Sequence, residues 1–358
     1  MLISQLFLMK KIIVFLLVLA LCVSCKSGSS KADSGFKYVT IDTLLNDKIS
    51  IRALVLDKDK IWYAADKSRV GYYDYKTLVH LQKTIVNTDE KLEFRSIGQN
   101  SKSIFIANIG SPATIFKLNK SDLSFLKVYT ENHEKAFYDS MNFWNDKEGI
   151  AVGDPTEDCL SIVITRDGGN TWKKMNCDNL PKVADGEAAF AASNTNICIK
   201  GNKTWVVSGG KKSRVLYSPN KGNSWELFDT PMVQGQSMTG IFTADFYNDK
   251  IGIVAGGNYE KPEQNWGNKA ITYDSGKTWK LIGEHNGFGY ASCIQFVPKS
   301  NGKQIVSVGA SGLQYSADGG NSWKQFSKDK TLYTIRFLDE NTAFAAGKDK
   351  IILVAFKK

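Results

Sequence analysis

Short apolar runs separated by polar turns fill the chain from residue 36 onwards. The turns are rich in glycine and asparagine, and no apolar period of about 3.6 residues, which would indicate an amphipathic helix, is sustained. Short apolar runs bounded by such turns are typical of β-strands. The pattern therefore predicts an all-β chain.

The strand pattern repeats as seven units, each opening with a strand that we expect to be the inner one. The units open at residues 50–66, 93–110, 137–155, 186–210, 238–262, 290–312 and 333–356. The seventh runs out of chain after three strands, whereas the strand-like segment 36–44 has no partner. Pairing the two would remove exposed edges. We therefore predict that residues 36–358 form a seven-bladed β-propeller, closed by pairing the N-terminal strand with the last blade.

One short motif occurs four times between neighbouring apolar runs. It reads Ser/Thr-x-Asp/Asn-x-Gly-x-Ser/Thr-Trp and lies at 165–172, 218–225, 272–279 and 316–323. Its tryptophans, Trp172, Trp225, Trp279 and Trp323, are 53, 54 and 44 residues apart, a spacing typical of propellers or solenoids. Glycine permits a positive φ, Asp or Asn accepts backbone hydrogen bonds, and Trp buries a large ring. The motif therefore predicts a tight turn.

The acidic position of this motif could also serve as a general acid or a metal ligand. We favour the turn for all four copies, which place Asp167, Asn220, Asp274 and Asp318 at the same offset. The motif resembles the Asp-box, or bacterial neuraminidase repeat. That resemblance implies a hairpin staple on the outer part of a blade, away from the central binding face.

A wider resemblance covers residues 90–325. Segments such as "FYDSMNFWNDKEGIAVGDP" (137–155), "GEAAFAASNT" (186–195) and "GYASCIQF" (289–296) are similar to bacterial members of the photosystem II stability/assembly factor-like propellers. Members of this family are often labelled oxidoreductase or sialidase-like. The chain has neither a dinucleotide-binding glycine fingerprint nor the cysteine spacing of a haem or iron–sulfur site, so we expect no cofactor.

The N-terminus has the pattern of an export signal. Lys10 and Lys11 precede the apolar run 12–21, and small residues lead to Cys25. Cys25 resembles the lipidated cysteine of a bacterial lipoprotein, with either Met1 or Met9 as the start. We therefore predict a signal peptide over 1–25 and a polar tether over 26–35. The chain would be lipid-anchored to the cell envelope, at the periplasmic side of the outer membrane or at the cell surface.

The charge pattern argues against nucleic acid as a partner. The net charge is +10, but the lysines and arginines are scattered rather than clustered. We interpret them as a solvated surface and expect a monomer. The three histidines, His80, His133 and His285, lack metal-ligand spacing, and we expect no metal site.

Four cysteines remain beyond the signal segment. Cys159 and Cys177 flank the turn of the third unit at similar distances, so a cross-strand disulfide could join them, although a shift of one residue would separate the thiols. A bridge and two free thiols both stay open. We expect Cys198 and Cys293 to be buried free thiols.

Charged residues at the starts of the units are candidates for a central binding site. Arg52, Arg95 and Asp139 occupy near-equivalent positions in the first three units, and Asp154, Glu187 and Arg214 follow in the third and fourth. They could form a funnel that binds an anion or a peptide, with Arg52 and Arg95 as donors. They could equally neutralise one another across neighbouring blades.

Two functions follow from these patterns. The first is a non-catalytic, assembly-factor-like lipoprotein scaffold that binds a protein or envelope component over its funnel. The alternative is a sialidase-like or other glycan-active hydrolase, for which Arg52, Arg95 and Arg336 could supply three arginines. No tyrosine–glutamate pair identifies itself as the nucleophile, so we favour the scaffold.

Overall fold

Nearly every apolar run of the sequence is a β-strand in the computed structural model, which describes residues 35–86 and 92–358. The described residues contain one helical element, a 3-10 turn at Cys177–Asn179. The all-β prediction is therefore confirmed. The predicted signal peptide, Cys25 and nearly all of the tether lie outside the described residues.

The strands form six antiparallel sheets. Sheet I has the order β27(Leu332–Phe337), β28(Thr342–Lys357), β1(Tyr38–Asp57), β2(Lys60–Ala65), β3(Arg69–Asp74), β4(Val79–Thr84). Sheet II contains β5(Phe94–Gln99), β6(Ser103–Asn108), β7(Ala113–Asn119), β8(Phe125–Glu131). Sheet III contains β9(Tyr138–Phe143), β10(Gly149–Gly153), β11(Ser161–Thr165), β12(Lys173–Lys174).

The other three sheets follow along the chain. Sheet IV contains β14(Ile197–Lys200), β15(Lys203–Val207), β17(Arg214–Ser218), β18(Glu226–Asp229). Sheet V has the order β13(Glu187–Ala188), β16(Gly209–Gly210), β19(Thr239–Phe246), β20(Gly252–Asn258), β21(Lys269–Thr272), β22(Lys280–Leu281). Sheet VI contains β23(Ala291–Phe296), β24(Ile305–Gly309), β25(Gly312–Ser316), β26(Lys324–Ser327).

The propeller therefore has six blades, one for each sheet, and the prediction of seven is wrong. Strand β1 is continuous: its first part pairs with β28, and its later part pairs with β2. No glycine or proline lies between Asn46 and Ser50, where a turn would have to separate two blades. The predicted first and seventh units consequently share sheet I.

The predicted closure of the ring is confirmed. Tyr38 to Asn46 pair with Lys357 to Lys350, which joins the N-terminal strand to the last strand of the chain. Phe36 continues this seam, because its ring packs 5.0 Å from Phe356 and 5.2 Å from Tyr315. The pairing leaves neither terminal strand as an open edge.

The inner strands lie side by side around a central axis. In ring order they are the later part of β1, then β5, β9, β14, β19, β23 and β27, which returns to β1. Sheet I contributes two of these strands, the later part of β1 and β27. Apolar side chains fill the spaces between neighbouring sheets; Phe105 and Ile115 of sheet II, for example, share a core with Tyr138 and Trp172 of sheet III. Because all inner strands run in the same direction, their first residues share one face of the ring and their last residues share the other.

The four repeated turns join the last two strands of sheets III to VI, namely β11 to β12, β17 to β18, β21 to β22 and β25 to β26. In the third copy, Asp274 Oδ1 accepts from the Thr272 hydroxyl at 2.8 Å and the Thr278 backbone N–H at 2.9 Å, and Oδ2 accepts from the Thr278 hydroxyl at 2.6 Å. Burial of Asp274 opposes ionisation, but these hydrogen bonds bring its pKa below the usual range. Each of these bonds lies within the motif, as the turn prediction requires.

A disulfide joins Cys159 and Cys177, whose Cα atoms are 5.5 Å apart. The bridge that the sequence left open is therefore present, but its setting differs from the predicted strand pair. Cys159 precedes β11, and Cys177 begins the 3-10 turn beyond β12. Cys198 and Cys293 are buried free thiols, as predicted.

Candidate functional site

Every inner strand except β14 carries a β-bulge near its first residue. The register shifts leave one residue unpaired in each strand: Arg52, Arg95, Asp139, Phe242, Ser292 and Tyr333. A bulge bends its strand and re-aims the side chain of the extra residue. We call this side of the ring the bulge face and the opposite side the far face.

A continuous depression lies on the bulge face. It has two lobes of about 180 and 320 Å³, which share Arg52, Tyr259 and Tyr290. The smaller lobe adds Arg95 and an apolar wall that contains Phe190, Met238 and Phe242. In that wall the Phe190 and Phe242 rings stack with their centroids 3.9 Å apart. The depression thus combines two guanidinium groups with aromatic side chains.

The two arginines differ in their partners. Arg95 Nε donates to Glu93 Oε1 at 2.7 Å, which forms a half-exposed ion pair. The Arg52 guanidinium lies 4.2 Å from the centre of the Tyr333 ring and donates to the Ala192 carbonyl at 3.4 Å. No described carboxylate forms an ion pair with Arg52, so this residue keeps its positive charge for a ligand.

Two carboxyl groups lie beneath the depression rather than within its lining. Burial, with Asp154 as a neighbour, raises the pKa of Asp139 well above its ordinary value, and Arg95 opposes this rise. Burial also raises the pKa of Asp154 to about 6, although its Oδ1 accepts from the Ala189 backbone N–H at 3.0 Å. Asp139 Oδ2 is buried without a hydrogen-bond partner among the described residues. The pair therefore supports the floor of the depression.

Residues 189–196 cross the ring axis between the two faces, and we call them the axial segment. Asn194 Oδ1 accepts from the backbone N–H groups of Ile97 at 3.2 Å and Met141 at 2.9 Å, and Asn194 Nδ2 donates to the Ile97 carbonyl at 2.8 Å. The Ser193 hydroxyl donates to the Ser292 carbonyl at 2.6 Å. Bonds to β5, β9 and β23 from one short segment show that it closes the central channel.

The other two predicted site residues, Glu187 and Arg214, also lie outside the lining of the depression. Glu187, in β13, is buried and accepts from Arg214 Nε at 3.1 Å and from the Ser208 hydroxyl. Since Arg214 satisfies Glu187, mutual neutralisation describes this pair. Among the predicted site residues, Arg52 is the cation that forms no ion pair with a described carboxylate. Mutual neutralisation therefore describes Glu187 and Arg214, whereas ligand binding remains the interpretation for Arg52.

A second cavity, of about 430 Å³, opens on the far face. Its lining includes the ends of several inner strands, with Asn142, Lys200, Asp245, Gln295 and Arg336. The axial segment contributes Asn194 and Thr195 to the same lining. Arg336 therefore lies on the opposite side of the axial segment from Arg52 and Arg95, and the three arginines do not converge.

Sequence reasoning missed most of the aromatic wall and the axial segment. The sequence predicts that the segment 186–210 opens with an inner strand. In the structure, the inner strand of this segment begins only at Ile197 and ends at Lys200. The run of small polar residues at 193–196 breaks the apolar alternation and is the signal that could have indicated the crossing. Tyr259 directly follows strand β20 in "AGGNY", and Tyr290 directly precedes strand β23 in "GFGY"; the strand pattern gives no indication that the two side chains meet.

Within the described part of the chain, no helix has the length and apolar character needed to cross a bilayer. The described residues also contain no group of three or more histidine, cysteine, aspartate or glutamate side chains placed to hold a metal ion.

Comparisons with known proteins bear on the fold. No family model matches the chain, and no curated protein matches it. The structure described as YCF48 bound to D1 peptide is similar over 90% of this chain and 98% of the other, with 13% identity and a TM-score of 0.63. YCF48 from Cyanidioschyzon merolae is similar over 90% of this chain and 99% of the other, with 12% identity and a TM-score of 0.61. The structure of U3-55K is similar over 88% of this chain and 98% of the other, with 11% identity and a TM-score of 0.61. At these identities the similarity shows a shared β-propeller fold.

Proposed function

We propose that this chain is a non-catalytic propeller scaffold that binds a segment of a partner protein across the bulge-face depression. The observation that carries the proposal is Arg52, a cation without a described carboxylate partner that lies over the Tyr333 ring. Arginine and tyrosine anchors surrounded by apolar side chains are typical of the centres of protein interfaces. The depression has this composition.

The same residues define the chemistry of the partner segment. Arg52 offers guanidinium donors that suit a carboxylate, and Tyr259 and Phe242 offer ring faces for apolar side chains. An extended segment with an acidic group beside apolar residues would fit both lobes. The structural relative described as bound to D1 peptide is a propeller of this fold with a peptide ligand, which supports the class of partner.

The lining of the depression favours binding over glycan hydrolysis. A glycosidase needs two carboxyl groups about 5–10 Å apart beside a cleft that is open to water. Among the described residues, neither lobe has an aspartate or glutamate in its lining. Asp139 is only 1% exposed.

Site-specific photo-crosslinking tests the location of the partner site. Tyr259 is 48% exposed at the depression, and Tyr273 is 65% exposed at a repeated turn on the outer rim. A photoreactive residue at each position, in separate full-length variants, should give crosslinked partner bands from position 259 and not from 273. Equal crosslinking from the two positions would contradict the proposed site.

Affinity capture then tests the role of Arg52. Arg52→Glu reverses the charge at the depression, and Lys280→Glu makes the same reversal on an exposed outer strand. The tagged wild-type chain and Lys280→Glu should capture the same partner, and Arg52→Glu should capture at least tenfold less. Capture of the same amount by all three chains would refute the proposal. Thermal melts of each variant establish that the chain is folded.

We also propose that the scaffold is an envelope lipoprotein of the photosystem II stability/assembly factor-like family, anchored through Cys25. The basic, apolar and small-residue pattern that precedes Cys25 supports this proposal. Cells that express the full chain should incorporate a labelled fatty acid into it, and Cys25→Ala should lose the label and leave the membrane fraction. Fatty-acid label that persists in Cys25→Ala would show that Cys25 is not the lipidated residue and would contradict the proposal.

A further inference from the structure

The cavity on the far face is closed off from the bulge face by the axial segment. Thr195 lies in the lining of this cavity, and its hydroxyl donates to the Thr243 hydroxyl at 2.8 Å, which fixes the segment to β19. The volume of about 430 Å³ is within the range of about 300–1,000 Å³ that is usual for small-molecule sites. The cavity is therefore a separate pocket with a protein floor.

Two cations at this cavity form no ion pair with a described carboxylate, although both interact electrostatically with Asp245 of the same lining. Lys200 and Arg336 are half-buried in the lining, and neither forms an ion pair with a carboxylate of the described residues. Arg336 Nη2 donates to the Ser193 carbonyl at 2.9 Å, and Nη1 donates to the Thr334 hydroxyl at 2.9 Å and the Ile335 carbonyl at 2.7 Å, which fixes the guanidinium at the floor. The Lys200 ammonium has no described hydrogen bond at all. Half-buried cations without an ion pair favour an anion in the cavity.

Two amide side chains of the lining, Asn142 and Gln295, have oxygens that already accept hydrogen bonds. Asn142 Oδ1 accepts from the Phe143 backbone N–H at 2.8 Å, and Gln295 Oε1 accepts from the Phe337 backbone N–H at 3.3 Å. Because a backbone N–H can only donate, the amide oxygens are committed to these bonds. The NH2 groups of Asn142 and Gln295 then have no partner among the described residues and are free to donate to a ligand.

The single carboxylate of the lining is already engaged. Asp245 Oδ1 accepts from the Phe246 backbone N–H at 2.9 Å, and Oδ2 accepts from the Phe296 backbone N–H at 2.8 Å. Burial also raises the pKa of Asp245, although Lys200 opposes the rise. The groups that stay available to a ligand are therefore predominantly donors.

We propose that the far-face cavity is a second binding site, independent of the partner site, for a small oxyanion that carries carboxylate or phosphate groups. Lys200 and Arg336 supply the positive charge, and the Asn142 and Gln295 amides supply further donors. The ligand chemistry is distinct from that of the bulge face, where aromatic rings form much of the wall.

Calorimetric titration of the full chain in detergent tests this proposal with two probes. Sodium citrate represents a polycarboxylate, inorganic phosphate represents a phosphate group, and sodium chloride at the same ionic strength is the control. Saturable binding of either probe beyond the chloride control is the expected result, and the arm that binds more tightly identifies the oxyanion class. If neither probe binds beyond chloride, the proposal is wrong.

Matched variants assign the binding to the cavity. Lys200→Gln removes a charge from a side chain with no described bond, and Lys280→Gln removes the same charge from the outer rim. Gln295→Glu keeps the acceptor for the Phe337 N–H but replaces the amide donor with a negative charge. We expect Lys200→Gln and Gln295→Glu to weaken binding about tenfold or more, and Lys280→Gln to leave the affinity unchanged. Equal affinity in Lys200→Gln and Lys280→Gln would overturn the assignment.

Discussion

At the outer rim, the Asp or Asn side chain of each repeated turn makes hydrogen bonds to residues no more than four positions away, whereas at the axis Asn194 bonds to backbone groups 97 and 53 positions away. A backbone N–H of each turn also donates to a carbonyl of the same blade; that of Gly168, for example, donates to the Lys147 carbonyl at 2.8 Å. Asn194 can be satisfied only when β5 and β9 are already in place. Local chemistry therefore holds the rim, and long-range assembly holds the axis.

This difference separates stability from function in the molecule. The rim turns recur because one local solution closes four outer hairpins. The axial segment occurs once, and it separates the aromatic depression from the polar cavity. A change at the rim should therefore act on the free energy of unfolding alone, whereas a change at the axis should act on unfolding and on both faces.

The largest expected effect is at the rim, at Trp172. Its ring is 7% exposed and packs edge-on against Phe105 at 6.0 Å and Phe143 at 5.7 Å, which joins sheets II and III. Trp172→Ala should lower the free energy of unfolding by about 3–5 kcal/mol because it leaves a large cavity. Denaturant titration of the full chain measures this change.

The matched control is Trp266→Ala, at a tryptophan that is 48% exposed. It should cost less than about 1 kcal/mol, because little packing is lost at an exposed position. Under conditions in which each variant is folded, both should capture as much partner as the wild type does. If Trp172→Ala kept its full stability and lost partner capture, the rim would be part of the binding site, and the comparison between rim and axis would fail.

The next largest effect is at the axis, at Asn194. Asn194→Ala removes the acceptor for the Ile97 and Met141 N–H groups and should cost about 2–3 kcal/mol, because these buried donors lose their partner. Asn202→Ala, at an exposed turn, should stay within about 0.5 kcal/mol. Denaturant titration gives the cost, and citrate titration should show weaker binding in Asn194→Ala alone. Unchanged binding to both faces would show that the axial segment does not organise them.

The sequence was sufficient where the determinant is local. The repeated turns, the strands and the pairing of Tyr38 to Asn46 with the chain end all follow from patterns within a few residues or from the need to close an edge. The near-equivalent positions of Arg52, Arg95 and Asp139 likewise correspond to the bulges of three inner strands. The turns, the strands and the bulges are each a property of one repeat, and the closure follows from the unpaired strands at the two chain ends.

The remaining features depend on contacts between repeats. The observed number of blades differs from the predicted number because β1 continues without a break through residues 46–50. It pairs first with β28 and then with β2, and the composition of the chain does not reveal this continuity. The path of residues 189–196 depends on polar groups of β5, β9 and β23 that are distant in sequence. The far-face cavity was missed for the same reason, because Lys200 and Arg336 meet only across the ring.

A smaller effect distinguishes the acidic residues of the rim turns. Asp274→Ala removes the acceptor for three hydrogen bonds and should cost about 1–2 kcal/mol. The second turn has Asn220 at this position, and its Nδ2 donates to the Ser224 hydroxyl at 2.9 Å. Asn220→Asp should change stability by less than about 1 kcal/mol, because the hydroxyl can reverse its role. Denaturant titration that gave equal costs for the two variants would show that the carboxylate has no special part in the turn.

The smallest expected effect is the pH dependence of the carboxyl pair under the depression. Burial raises the pKa of Asp154 to about 6, so the folded state holds this proton more tightly than the unfolded state does. Stability from this group therefore falls as pH rises between about 4 and 6. Relative to Asp154→Asn, the wild type should gain about 1 kcal/mol between pH 7 and pH 5. Because Asp154 raises the pKa of Asp139, denaturant titrations of the two chains at the two pH values report on the carboxyl pair together. A difference of the opposite sign would mean that the Ala189 hydrogen bond outweighs burial, and that the axial segment is held by an ionised Asp154.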